Sequence, residues 1–93
     1  RLPEAESAYR EAVRSDPNHA GALSGLGLVL RELGKFPDAE AAAREAIRLN
    51  PGLVEAHRTL GAALFRLRRL PEAEAACREA IRLRPGDGSD AFN

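Results

Sequence analysis

The chain has 93 residues, with 14 basic against 14 acidic side chains, a formal charge of zero, and 44% hydrophobic and 30% charged content. That balance suits a soluble globular protein and gives no non-specific attraction to nucleic acid or to a membrane surface. The single cysteine, Cys77, excludes an intrachain disulfide and a cysteine zinc cluster, and every apolar run is broken by Arg or Gly before it could act as a signal peptide or span a bilayer, which favours a cytoplasmic setting. Thirteen arginines against one lysine, Lys35, point to a GC-rich, bacterial genome.

The first stretch, "LPEAESAYREAVRSDP", places Ala5, Ala8, Tyr9, Ala12 and Val13 at offsets of 0, 3, 4, 7 and 8. These positions form one stripe of a helix with 3.6 residues per turn. Pro3 stands where a helix begins, because proline is tolerated in the first turn, and Pro17 stands just past its end. The pattern predicts a helix over 3–15. A second pattern follows in "HAGALSGLGLVLREL", with Leu23, Leu26, Leu30 and Leu33 on one side, and predicts a helix over 19–33 that Gly34 stops.

The same two patterns then recur. "FPDAEAAAREAIRLNP" repeats the alanine stripe as Ala39, Ala42, Ala43, Ala46 and Ile47 and predicts a helix over 37–49. "VEAHRTLGAALFRLR" repeats the leucine side as His57, Leu60, Leu64 and Leu67 and predicts a helix over 53–68. Here Arg68 replaces the stop glycine, so this turn should be more strained or of a different type. "LPEAEAACREAIRLRP" gives the stripe a third time, as Ala73, Ala76, Cys77, Ala80 and Ile81, and predicts a helix over 71–83. Leu2, Phe36 and Leu70, which open the three copies, lie 34 residues apart. Glu6 and Arg10, Glu40 and Arg44, and Glu74 and Arg78 form i, i+4 pairs with the acid first, as on a solvated helix face.

A 34-residue period, Leu26-Gly27 and Leu60-Gly61 in the first helix of a unit, Ala39 and Ala73 early and Ala46 and Ala80 late in the second, and the closing Pro51 and Pro85 together resemble tetratricopeptide repeats. The resemblance covers essentially the whole chain. It implies an all-α, right-handed solenoid of antiparallel helix pairs, divided as the second helix of an incomplete repeat (1–17), two full repeats (18–51 and 52–85) and the start of a further repeat or a tail (86–93). Gly27, Gly61, Ala39 and Ala73 are small where two helices cross closely. Leu23 and His57 stand where the family often has Trp, and Leu30 and Leu64 where it has Tyr. The register reads as a fragment of a longer array whose two ends lack polar caps, and it leads us to expect head-to-tail self-association.

No constellation for catalysis, a metal or a cofactor emerges. His19 falls in a turn and His57 on a helix face, neither with a second ligand at suitable spacing, and Cys77 occupies the packing position of Tyr9 and Ala43. "GALSGLG" lacks the spacing of a phosphate loop, and 4% aromatic content provides no stacking platform for single-stranded nucleic acid. The resemblance implies instead a concave groove that binds peptides. Its inward positions are Gly21, Ser24, Gly25, Leu28, Arg31 and Glu32, then Glu55, Arg58, Thr59, Ala62, Phe65 and Arg66. Leu28 and Phe65 within an arginine rim suit a peptide with a large apolar side chain and acidic flanks. Family members that hold chaperone C-terminal carboxylates use a Lys and Asn clamp, and the residues at those positions are Ser24, Leu28 and Thr59. The expected function is a non-catalytic scaffold for a protein or peptide partner, without nucleic acid, membrane or cofactor. The alternative is the substrate-docking region of a larger enzyme such as a glycosyltransferase or sulfotransferase.

Overall fold

A computed structural model describes residues 1–84, so the expectation for residues 86–93 lies outside the described residues. Five helices follow one another: α1 (Leu2–Ser15), α2 (Ala20–Glu32), α3 (Phe36–Leu49), α4 (Val54–Arg66) and α5 (Leu70–Leu83). Among the described residues there is no strand. Each boundary falls within two residues of the one expected from the sequence.

The local chemistry explains these boundaries. Pro3, Pro37 and Pro71 lie in the first turns of α1, α3 and α5, where the missing amide has no intrahelical partner to lose. The turns that follow α1 and α3 are closed by a short side chain: Asp16 Oδ1 accepts from the Asn18 amide, and Asn50 Oδ1 from the Gly52 amide, both at 3.1 Å. His19, expected only as a turn residue, caps α2 by accepting the Ala22 amide at Nδ1 over 3.0 Å.

The turns inside the two helix pairs share one geometry. After α2, the Lys35 amide donates to the Leu30 carbonyl and the Gly34 amide to the Arg31 carbonyl. After α4, Arg69 donates to Leu64 and Arg68 to Phe65 in the same way. Both are Schellman motifs, which require a left-handed residue at their centre. Gly34 has φ of 80° and Arg68 has φ of 69°. The second turn is therefore strained, as expected, but it is not of a different type.

Packing follows the chain order, with one addition that sets the shape. α1 packs on α2, α2 on α3, α3 on α4 and α4 on α5; beyond these neighbours, α2 and α4 are the one further pair that packs closely among the described residues. α1, α3 and α5 do not pack closely against one another among the described residues, and α3 reaches α5 only through the Arg44–Glu72 ion pair at 3.7 Å. α2 and α4 therefore form a close inner row and the other three a splayed outer row, the arrangement of a curved solenoid. The core is shared across this stack. Leu26 and Leu30 of α2 cluster with Ala39 and Ala42 of α3 and Ala63 of α4, while Leu60 and Leu64 of α4 cluster with Ala43 of α3 and Ala73 and Ala76 of α5. The alanine stripe is what lets the leucines of the inner row pack this closely.

Candidate interaction surface

The inner row presents Leu28 and Phe65 to solvent, and Phe65 is 60% exposed, the most exposed of the large apolar side chains among the described residues. Helix geometry explains this exposure. Leu64 turns into the core at 1% exposure, and Phe65, about 100° further round the helix, points away from that contact.

Two hollows meet at Phe65. The larger, about 660 Å³, lies between α4 and α5, floored by Gly61, Ala62, Ala73 and Ala80, walled by Phe65 and Ile81, and rimmed by Arg31 and Arg58. The smaller, about 340 Å³, is lined by Arg31, Glu32, Ala62, Phe65 and Arg66. Six of the residues expected in the groove, Arg31, Glu32, Arg58, Ala62, Phe65 and Arg66, thus gather around one aromatic ring. Leu28 and Glu55 are exposed but line neither hollow. Gly21 is exposed, whereas Gly25 is covered by Tyr9, whose ring would lie 2.4 Å from any Cβ placed there.

Two expected groove residues are corrected by their burial. Ser24 and Thr59 are 8% and 2% exposed. The Thr59 Cγ2 points at Gly27, into the junction of α2 and α4. The inner helices touch each other, and the side chain of Thr59 lies in that contact.

The arginines of the rim are already engaged in part. Arg31 donates to Glu32 over 2.8 Å and Arg58 to Glu55 over 3.0 Å. The Arg31 Nε is buried without a hydrogen-bond partner. Arg66 has no carboxylate partner among the described residues; its guanidinium lies over the Phe36 ring, 4.8 Å from the centroid. His57, the other histidine, is buried, with Nε2 at 2.8 Å from the Pro51 carbonyl oxygen. Cys77 is a free, exposed thiol in the larger hollow. Among the described residues no three His, Cys, Asp or Glu side chains come together to hold a metal, and no helix is long and apolar enough to cross a membrane.

An inner row of helices with an exposed aromatic ring in an apolar hollow defines a helical-repeat module with a surface suited to holding another chain. The family model described as "Tetratricopeptide repeat" matches residues 1–54 and again residues 26–88, and the chain belongs to that family. Solved structures of similar shape include the first TPR of Spaghetti (RPAP3) bound to the HSP90 peptide SRMEEVD, with TM-score 0.87, 26% identity, and 98% of this chain and 72% of that chain covered. The Arabidopsis OM64 TPR domain matches with TM-score 0.87 and 26% identity, over 98% of this chain and 75% of that one. The second TPR of RPAP3, also bound to SRMEEVD, is alike in fold, with TM-score 0.86 at 22% identity over 89% and 77% of the two chains. No curated protein matches the chain in sequence.

Proposed function

We propose that this chain is a non-catalytic interaction module that holds a segment of a partner protein on its inner face, with an apolar side chain of that segment against Phe65. The observation that carries the reading is the 60% exposure of Phe65 at the meeting of two hollows, a position where a large apolar group gains most from being covered. Support also comes from the first TPR of RPAP3, which holds a peptide whose sequence, SRMEEVD, combines apolar and acidic residues. The arginines around Phe65 favour acidic flanks of the same kind. Recognition here does not use the Lys and Asn clamp for a terminal carboxylate, since Ser24 and Thr59 are buried and Leu28 is apolar.

A peptide-array screen, followed by titration of the best acidic-flanked ligand, tests the reading. Phe65→Ala should weaken binding by about 2 kcal/mol, the usual cost of truncating a hot spot. Arg66→Ala should mainly slow association and reduce its salt dependence, because rim charges steer encounter more than they hold the complex. Unchanged affinity in both variants, with losses instead from Arg44→Ala or Arg78→Ala on the outer row, would move the partner to the convex side.

A further inference from the structure

The splayed outer row leaves two notches on the convex side, one between α1 and α3 over α2, the other between α3 and α5 over α4, and they are closed unequally. At the second notch four side chains form one network. Arg44 donates to Glu40 over 2.9 Å and reaches Glu72 at 3.7 Å, while Arg69 donates to Glu40 over 2.8 Å and to Glu72 over 3.0 Å. The residues 34 positions earlier are Glu6, Arg10, Lys35 and Asp38. Arg10 and Lys35 both donate to Glu6, over 2.9 and 3.1 Å, but the Asp38 carboxylate has no ion pair or hydrogen bond among the described residues. Two differences account for the gap. The Lys35 ammonium is taken up by the two oxygens of Glu6, where the Arg69 fork divides between two acids, and Asp38 is one methylene shorter than Glu72.

Beside Asp38 the first notch is hollow. About 350 Å³ lies between Arg10 of α1 and Asp38, Ala41 and Glu45 of α3, floored by Leu26 and Leu30 of α2. Arg10 is turned to Glu6, and Glu45 to Arg48 of its own helix over 3.1 Å, so the unpaired charge at this lip is that of Asp38. Further units of an array would not fill the hollow. A unit ahead of α1 would stand to α1 and α2 as α2 stands to α3 and α4. Among the described residues α2 does not pack on α5, and it adds nothing to the cluster of Leu60, Leu64, Ala73 and Ala76 that repeats this floor. A unit beyond α5 would lie at the far end of the molecule.

We propose that the notch between α1 and α3 is a second docking site, which takes an arginine side chain from a basic segment of a partner protein. The methylene stem of that arginine lies over Leu26 and Leu30, and its guanidinium pairs with Asp38 as Arg69 pairs with Glu72. The apolar floor accounts for the stem, and the missing member of the charge network accounts for the cation. The inference is independent of the peptide reading above, because no residue lining this hollow borders either hollow at Phe65. The two faces then select opposite charges, acidic segments beside Arg31, Arg58 and Arg66 and a basic one beside Asp38, so that one copy can hold both at once.

The test is an NMR titration of the nitrogen-labelled 93-residue protein with the peptide acetyl-Gly-Ala-Arg-Ala-Gly-amide and with its citrulline twin, which keeps the shape of arginine and lacks its charge. Saturable shifts are expected at the amides of Arg10, Asp38, Ala41 and Ala42, with the citrulline peptide bound about two- to fivefold more weakly, the factor that a partly exposed ion pair supplies. Asp38→Asn, at an exposed site and checked for folding by circular dichroism, should bring the two peptides to equal affinity. Glu4 is the internal control, an exposed acid at the same position of α1 with no outer helix ahead of it among the described residues, and its amide should stay still. Equal affinity of the two peptides for the parent protein, a charge preference that survives Asp38→Asn, or shifts gathered round Phe65 would each overturn the proposal. A response at Glu4 as large as that at Asp38 would do so too, since it would reduce the effect to surface charge. So would shifts at Asp38 that appear on concentrating the protein without peptide and vanish in Asp38→Asn, which would assign the notch to a second copy.

Discussion

Arg68 occupies a conformation that costs an L-residue with a Cβ roughly 1 to 2 kcal/mol, with φ of 69° in a turn that 34 residues earlier uses Gly34. The turn keeps its form because the paired amide-to-carbonyl bonds of the Schellman motif fix the backbone whatever residue sits there. The anomaly was legible in the sequence as a missing stop glycine; the identity of the turn was not, since it is set by those two bonds. Arg68→Gly should therefore raise stability by about 1 kcal/mol, read as a higher midpoint in urea denaturation with an unchanged slope. The two glycines at the helix crossings behave differently from each other. A Cβ on Gly27 would sit 3.4 Å or more from its neighbours, ordinary contact, whereas one on Gly61 would meet the Cys77 Sγ at 2.5 Å and the Ala73 carbonyl oxygen at 3.3 Å. Gly61→Ala should destabilise by about 1 to 3 kcal/mol through overpacking, and Gly27→Ala should be close to neutral or mildly stabilising, since alanine is the better helix former. Cys77→Ala should recover part of the Gly61→Ala loss. Equal losses at both glycines would show that close approach of the helices, and not Cys77, sets the requirement.

Helix by helix, the sequence carried the stripe and its within-helix ion pairs but missed the pairs between units. Glu6 with Arg10, Glu40 with Arg44 and Glu74 with Arg78 are all made, as their spacing implies. The partners 29 residues on, Lys35 for Glu6 and Arg69 for Glu40, depend on where the turn after each inner helix lands in space, which periodicity along one helix does not encode. The same blindness explains Thr59, assigned to the groove by helical face and buried beside Gly27 where α2 and α4 meet. The pairing of Lys35 with Glu6 has a pH signature. Hydrogen bonds from Arg10 and then Lys35 hold the Glu6 carboxyl below its ordinary value of 4.5. A carboxyl depressed in the folded state adds stability that is fully present above its unfolded value and is lost as pH falls through the folded one. Lys35→Ala should thus lower the melting temperature slightly at neutral pH, and the difference should close as pH drops well below 4.5. It should also shrink at about 1 M salt, where the screening length is about 3 Å. A difference that persists at pH 2 would mean that the lysine stem, and not its charge, is what stabilises.

At the scale of the whole molecule, the 34-residue period made the pairing of helices legible, but how unevenly the pairs are stabilised emerges only from their neighbours. α3 lies against α2 and α4 and buries Ala39, Ala42, Ala43 and Ala46. Among the described residues α5 packs on α4, reaching α3 only by the Arg44–Glu72 ion pair, and buries Ala73, Ala76 and Ala80, while α1 packs on α2 and buries no residue fully. α1 carries the same stripe as the other two, so its sequence gives no sign of this weakness. Its Ala8 is exposed where Ala42 and Ala76, the same position in the other copies, are buried. In a solenoid each unit is stabilised chiefly by its immediate neighbours, so local opening is expected to begin where neighbours are fewest. Amide hydrogen exchange followed by mass spectrometry should therefore show α1 exchanging first, α5 next, and α2, α3 and α4 last. Tyr9 supplies a control on the cause. Its ring over Gly25 is a tertiary contact between α1 and α2, and Tyr9→Ala should speed exchange in α1 while leaving α4 and α5 unchanged. Uniform protection along the chain, moving as one when Tyr9 is truncated, would instead show that all five helices open together.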